Sequence, residues 1–191
     1  MFRYFLLREI PFGQDGDFSR DSVIGRINGD LANGLGNLVS RSLGMVEKYF
    51  DGQVPKPSKV EPADENIVSK ANETVDQFAG FMDDVSFSKA LFSIWEYIAF
   101  VNKYIDDTAP WSLAKQGQSD RLATILYNCC ESIRIISILI YPFMPQTAAD
   151  IWEKLGLDKD IQTTSIEDTK SWGLLQSNSK ITKGSNLFNR Y

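Results

Sequence analysis

The chain has 191 residues, 43% of them hydrophobic and 24% charged, with two cysteines, no histidine and a formal net charge of −5. That balance fits one ordinary globular domain with a full core, and the missing histidine excludes imidazole acid–base catalysis, histidine-containing triads and histidine-ligated zinc. A net acidic chain cannot hold nucleic acid through a broad basic surface, so any RNA contact must come from a few well-aimed side chains.

Phe2 to Ile10 reads as a helix without an N-terminal cap, closed by Pro11, Gly13 and Gly16. An opening in mid-helix suggests a piece of a longer protein. From about Arg20 to Phe50, Ile24, Ile27, Leu31, Leu35 and Leu38 form one stripe at helical spacing. The five glycines in that stretch argue against a helix, each costing about 0.5–1 kcal/mol relative to alanine. Periodicity outweighs them here, and the glycines are expected to permit close approach of a neighbour or a ligand.

Asp51-Gly52 ends that helix, and Gln53 to Pro62 is a proline-rich linker. Ile67, Ala71, Phe78 and Met82 mark a third helix. Phe87, Leu91, Ile94, Ile98, Val101 and Ile105 mark a fourth, in steps of three and four residues. Leu122, Leu126, Cys129, Ile133, Ile136 and Ile140 mark a fifth, closed by Pro142 and Pro145. A short helix from Thr147 to Leu155 follows, stopped by Gly156.

Beyond Leu157 a polar tail carries the apolar anchors Trp172, Leu174, Leu175, Ile181 and Leu187-Phe188, and is expected to fold back over the bundle. No stretch alternates with period two for long enough to build a sheet. The fold class is therefore all-α, an antiparallel helix bundle with a long first helix and an irregular C-terminal tail. Its expected parts are a linking segment at 1–19, the helical domain at 20–156 and the tail at 157–191.

The adjacent Cys129 and Cys130 sit in an apolar segment and read as reduced, buried thiols. There is no glycine-rich phosphate loop and no Cys-x-x-Cys pair, and the acidic residues are expected to be scattered over helix surfaces. No apolar run approaches the ~20 residues a membrane-spanning helix needs, and no signal peptide is visible; the expected location is cytoplasmic.

Several segments carry a family resemblance. Residues 4–19 (YFLLREIPFGQDGDFS) resemble the region that follows the catalytic signature in methionyl-tRNA synthetases. Residues 26–41 (RINGDLANGLGNLVSR) resemble the first helix of that family's anticodon-binding domain, and residues 102–111 (NKYIDDTAPW) its anticodon-facing corner. Residues 141–145 (YPFMP), Ile151-Trp152 and residues 183–188 (KGSNLF) extend the likeness almost to the end.

The resemblance implies an anticodon-binding bundle of the class I aminoacyl-tRNA synthetase type. It implies that Asn37, Arg41 four residues later, and Trp111 after the Ala109-Pro110 turn read the anticodon of methionine tRNAs, with Pro110 beside Trp111. Positions i and i+4 share a helix face, asparagine offers a donor and an acceptor, arginine a planar fork, and tryptophan a stacking surface. Without that context Asn-x-x-x-Arg is an ordinary solvated face, and a tryptophan after Ala-Pro is usually core, as expected of Trp95 and Trp152.

The family's His-Ile-Gly-His-type and Lys-Met-Ser-Lys-Ser loops and its zinc-binding insertion do not occur in these residues. The resemblance thus implies a tRNA-binding part that performs no aminoacylation alone and holds no cofactor. ATP, and zinc in members with the insertion, are implied to bind the catalytic part of the same parent chain. The expected partners are tRNA, initiator and elongator, and that catalytic domain, and the piece is expected to be monomeric. Two alternatives stand beside this reading: the anticodon domain of a sister class I synthetase of the valyl or cysteinyl type, and a helical protein-interaction bundle without RNA binding.

Overall fold

The structure, a computed structural model, describes residues 1–191 apart from Phe12 and Asp17, which fall within the first family-like segment. Helix α1 spans Phe2–Glu9. Helix α2 (Arg20–Arg26) starts at Ser19, whose hydroxyl accepts the Ser22 amide at 3.1 Å and so satisfies one orphan donor of the first turn.

The chain then runs on without a break through a π-helical stretch, Ile27–Gly36, into α3, Asn37–Phe50. The long helix expected from periodicity is present, but its middle is wound more loosely than an α-helix. Gly29, Gly34 and Gly36 all fall in this stretch, where they weaken the competing α-helical winding. The wider winding keeps Ile27, Leu31 and Leu35 buried on one side. Gly36 also meets the expectation of close approach, since a Cβ there would lie 3.2 Å from the Phe188 ring. A Cβ at Gly25 or Gly29 would meet nothing within 4 Å, so that reason does not hold for those two.

Asp51, with φ 52°, ends α3 in the left-handed conformation, followed by Gly52 at φ 74°. Helix α4 (Pro62–Asp83) begins with proline in its first turn and a capping box in which the Asp64 carboxylate accepts the Glu61 amide at 2.7 Å. Helices α5 (Phe87–Thr108), α6 (Pro110–Lys115), α7 (Ser119–Ile140) and α8 (Pro145–Lys154) follow. Six-residue α6 breaks no periodicity, which is why its sequence reads only as a corner.

Helix α7 is the axis of the bundle. Every residue from Arg121 to Ile140 is buried, not the single stripe its spacing suggests. It is long and apolar enough to cross a membrane by length and composition, but the surrounding protein covers it from Arg121 to Ile140. That coverage is the pattern of a central core helix. α3, α4, α5, α6 and α8 all pack against it.

Two carboxylates expected at the surface, Asp64 and Glu131, lie inside. Glu131 is fully buried and forms a two-pronged ion pair with Arg134, at 2.9 and 2.7 Å. The same carboxylate accepts the amides of Gly173, Leu174 and Leu175, while Arg134 donates to the carbonyls of Asp168 and Ser171. A buried charge is tolerable only when paired and hydrogen-bonded, and here the tail supplies the remaining bonds.

The tail folds back over the bundle through these bonds and through the buried side chains of Ile161, Leu175, Ile181 and Phe188. Leu174, expected as an anchor, is instead exposed, because its neighbour Leu175 takes the inward position. Residues 178–181 pair with 52–54 through backbone bonds, including one isolated antiparallel bridge, Gln53 to Lys180; no named strand occurs among the described residues.

Candidate nucleic-acid interface

The candidate site lies where the π-helical stretch and the start of α3 face α5 from Phe92 to Asp107. A groove of about 730 Å³ separates them. Its floor is tied together by two α5 side chains that donate to backbone carbonyls of the π-helical stretch. The Trp95 indole nitrogen reaches Asp30 O at 3.1 Å, and the Asn102 amide reaches Gly34 O at 3.3 Å. A loosely wound segment with carbonyls engaged from outside is a feature that recurs at functional sites.

Asn37 and Arg41 open α3 one turn apart and both line the groove. The Asn37 amide donates to the Asn102 side-chain oxygen at 3.4 Å, which leaves its own oxygen available. The Arg41 guanidinium donates to Asp106 of α5 at 2.6 Å, a pair that is part exposed on both sides. Its central carbon also lies 5.9 Å from the centre of the Trp111 ring, within cation–π range.

Trp111 owes its position to a backbone corner. Ala109 ends α5 at φ 44° and ψ 60°, a left-handed conformation that costs an alanine about 1 kcal/mol or more. Pro110, whose fixed φ suits the first helical position, then starts α6 in a new direction. Pro110 itself is buried, so it contributes by aiming Trp111 and offers no face to a ligand. Trp111 remains 41% exposed. Of the other tryptophans, Trp152 is core as expected, whereas Trp95 is only half-buried and lines the groove.

Beneath this corner lies a polar cluster that sequence pattern does not reveal. Tyr104, four residues before Thr108, donates to the buried Asp64 of α4. Arg121 and Asn128 of α7 donate to the same carboxylate at 2.6 and 3.1 Å. Burial alone would raise the Asp64 pKa, but the bonds from Arg121, Tyr104 and the Glu61 amide outweigh it and hold the carboxyl below its ordinary value. The spacing of Asp64, Tyr104, Arg121 and Asn128 fits helix faces, yet three helices must meet before the cluster exists.

Comparison with known proteins decides what this groove belongs to. A family described as the anticodon binding domain of methionyl tRNA ligase matches residues 54–191. The chain belongs to the methionyl-tRNA synthetase family. The class I tRNA synthetase (M) family matches residues 1–43. The methionine–tRNA ligase of Caldanaerobacter subterraneus is 49% identical over 98% of the chain, and that of Fusobacterium nucleatum 46% over 99%. The chain spans 29% and 30% of those relatives. The apo methionyl-tRNA synthetase of Mycobacterium tuberculosis superimposes with a TM-score of 0.91 at 38% identity, over 99% of this chain and 38% of that one.

The greater part of the chain is thus the anticodon-binding domain of a methionyl-tRNA synthetase family member, an all-α bundle as its sequence predicts. Asn37 and Arg41 fall in the segment matched by the synthetase family, and Pro110 and Trp111 in the segment matched by the anticodon-binding domain. The groove is built where the two segments meet. Among the described residues no three His, Cys, Asp or Glu side chains cluster as a metal site.

Proposed function

We propose that this groove reads the CAU anticodon of methionine tRNAs, initiator and elongator, as the tRNA-recognising part of an enzyme that attaches methionine to tRNA with ATP. The observation that supports it most is that Asn37 and Arg41, on one face of α3, line one end of the groove while Trp111 of α6 stands beside Arg41, its ring centre 5.9 Å from the guanidinium carbon. Loop bases can be splayed from a single strand, stacked on an aromatic face and read at their edges. Trp111 supplies the exposed ring, Asn37 a free side-chain oxygen, and Arg41 a fork that exchanges Asp106 for a base or phosphate. Pro110 orients the ring.

The methionine, ATP and any zinc chemistry belongs to other parts of the parent chain, which also provides the docking partner for α1 and α2. The working protein is cytoplasmic, and this part of it acts as a monomer. The test is binding of the chain to methionine tRNA with its CAU anticodon and to the same tRNA with one anticodon base changed. Arg41→Ala should lower the ratio of the two affinities by about tenfold, the scale of one lost two-pronged base contact. A variant that weakens both tRNAs equally would reduce Arg41 to an electrostatic role, and equal binding by the unaltered chain would refute the reading.

A further inference from the structure

The groove is longer than a base triplet needs. Its lining on α5 runs from Phe92 to Asp107. From Phe92 to Asp106 the helix rise alone gives about 21 Å. Stacked nucleotides advance about 3.4 Å each, so that length matches about six of them, twice an anticodon. Asn37 and Arg41, with Trp111 beside Arg41, occupy one end only.

The other end has its own unassigned chemistry. Phe92 is a large aromatic side chain left 50% exposed on the groove wall. The Arg8 guanidinium from α1 lies over that ring at 5.3 Å. Arg8 makes no hydrogen bond among the described residues, its Nε has no hydrogen-bond partner although buried, and the Asp30 carboxylate lies 4.0 Å from it. Asp30 is already engaged by Tyr4 at 2.7 Å and Arg26 at 3.3 Å. An exposed ring beside an arginine with unspent donors has the same pairing of groups as Trp111 with Arg41.

We propose that the Arg8–Phe92 end of the groove is a second nucleotide subsite, which takes a base of the same RNA strand beyond the anticodon on the Phe92 ring and a phosphate on Arg8. This rests on the anticodon reading of the first subsite. The ring carries no sequence information, because every base has a stacking face, so the second subsite adds affinity and path direction rather than specificity. Arg8 and Phe92 come from the two segments that also form the first subsite, α1 from one and α5 from the other, so the strand would follow the seam between them.

The chain is titrated with the trinucleotide CAU and with a seven-nucleotide RNA that has CAU at its centre, following tryptophan fluorescence. The seven-mer should bind at least about tenfold tighter, and Phe92→Leu, which keeps apolar bulk but removes the ring, should erase most of that gain while leaving the trinucleotide unchanged. Arg8→Gln should lower the slope of log affinity against log salt by about one for the seven-mer alone. No gain for the seven-mer, or a Phe92→Leu variant that keeps the gain or weakens both RNAs equally, overturns the second subsite. Trp111→Ala separates the two readings: if it weakens neither RNA, the anticodon reading has failed, whereas loss of both RNAs in Trp111→Ala with no effect of Phe92→Leu refutes the second subsite alone.

Discussion

Replacing Trp111 by alanine separates a recognition role from a packing role. The indole is 41% exposed, so about 100 Å² of a side chain that buries about 150–250 Å² in full is open to a base. Covering that surface is worth about 2.5 kcal/mol at about 25 cal/mol per Å². Ordering the ring and the base subtracts from this, which agrees with about 1–3 kcal/mol measured for base-on-aromatic stacking. The variant should therefore bind methionine tRNA about ten- to a hundredfold more weakly. Its stability should change little, by about 0.5 kcal/mol or less, because the ring sits at a surface corner whose backbone is set by Ala109 and Pro110. In a synthetase that carries this chain, the Michaelis constant for tRNA or the charging efficiency should suffer, while methionine-dependent ATP–pyrophosphate exchange stays nearly unchanged. A variant that unfolds at clearly lower denaturant, charges tRNA normally, or loses amino-acid activation as well would show Trp111 to be structural.

Two further predictions concern the core. Glu131→Gln leaves the Arg134 charge buried without its counter-ion and should destabilise the chain by about 3–5 kcal/mol in urea unfolding, with a loss near 1 kcal/mol or less contradicting the proposed clamp on the tail. Burial pushes the Cys129 thiol from 9.0 up to about 12 and raises Cys130 as well, so both are neutral in the folded chain. A raised folded pKa means that their contribution to stability is complete below about pH 9 and is lost progressively as pH rises toward 12. The urea midpoint should fall over that range, and a thiol reagent at pH 8 should label the folded chain far more slowly than the unfolded one; equal labelling rates would refute the burial argument.

The helices were legible because most of them are amphipathic. α4 and α5 bury stripes whose three- and four-residue steps stand out against polar neighbours, and both occur where that spacing puts them. α7 was legible as a helix but not as the axis, since a helix wrapped on all sides and one that buries a single stripe share the same strongest repeat. The π-helical winding of Ile27–Gly36 was not legible. Loose winding depends on which carbonyls α5 engages, as Trp95 and Asn102 do at Asp30 and Gly34, and those are contacts across 65 to 68 positions in sequence. For the site, Asn37, Arg41, Pro110 and Trp111 emerged from family-like segments and not from spacing. The structure adds that Pro110 is buried, and it adds Asn102 and Asp106 as the groups that hold Asn37 and Arg41.

Those holding groups explain how, in the proposed reading, a net acidic chain would present a cation to RNA without a basic surface. Asp106 holds the Arg41 side chain at 2.6 Å, which limits the rotamer entropy that binding would otherwise cost. Asp106 is 61% exposed, and ion pairs at such surfaces are worth about 0–1 kcal/mol, so exchanging this partner for a base edge or phosphate is cheap. Asn102 does the same for Asn37 at 3.4 Å, while its own amide is anchored on Gly34 and Ile98. Asn37 and Arg41 are thus oriented by weak partners, and the weak partners by strong ones: Asn102 and Asp106 sit on the last turns of α5, which Tyr104, between them, ties to the buried Asp64 and, through it, Arg121. A deep, well-paired network holds the frame, and a shallow, exchangeable pair faces the ligand. Under the proposed reading, this ordering would let three side chains at one end of a groove discriminate where a diffuse positive field would only attract.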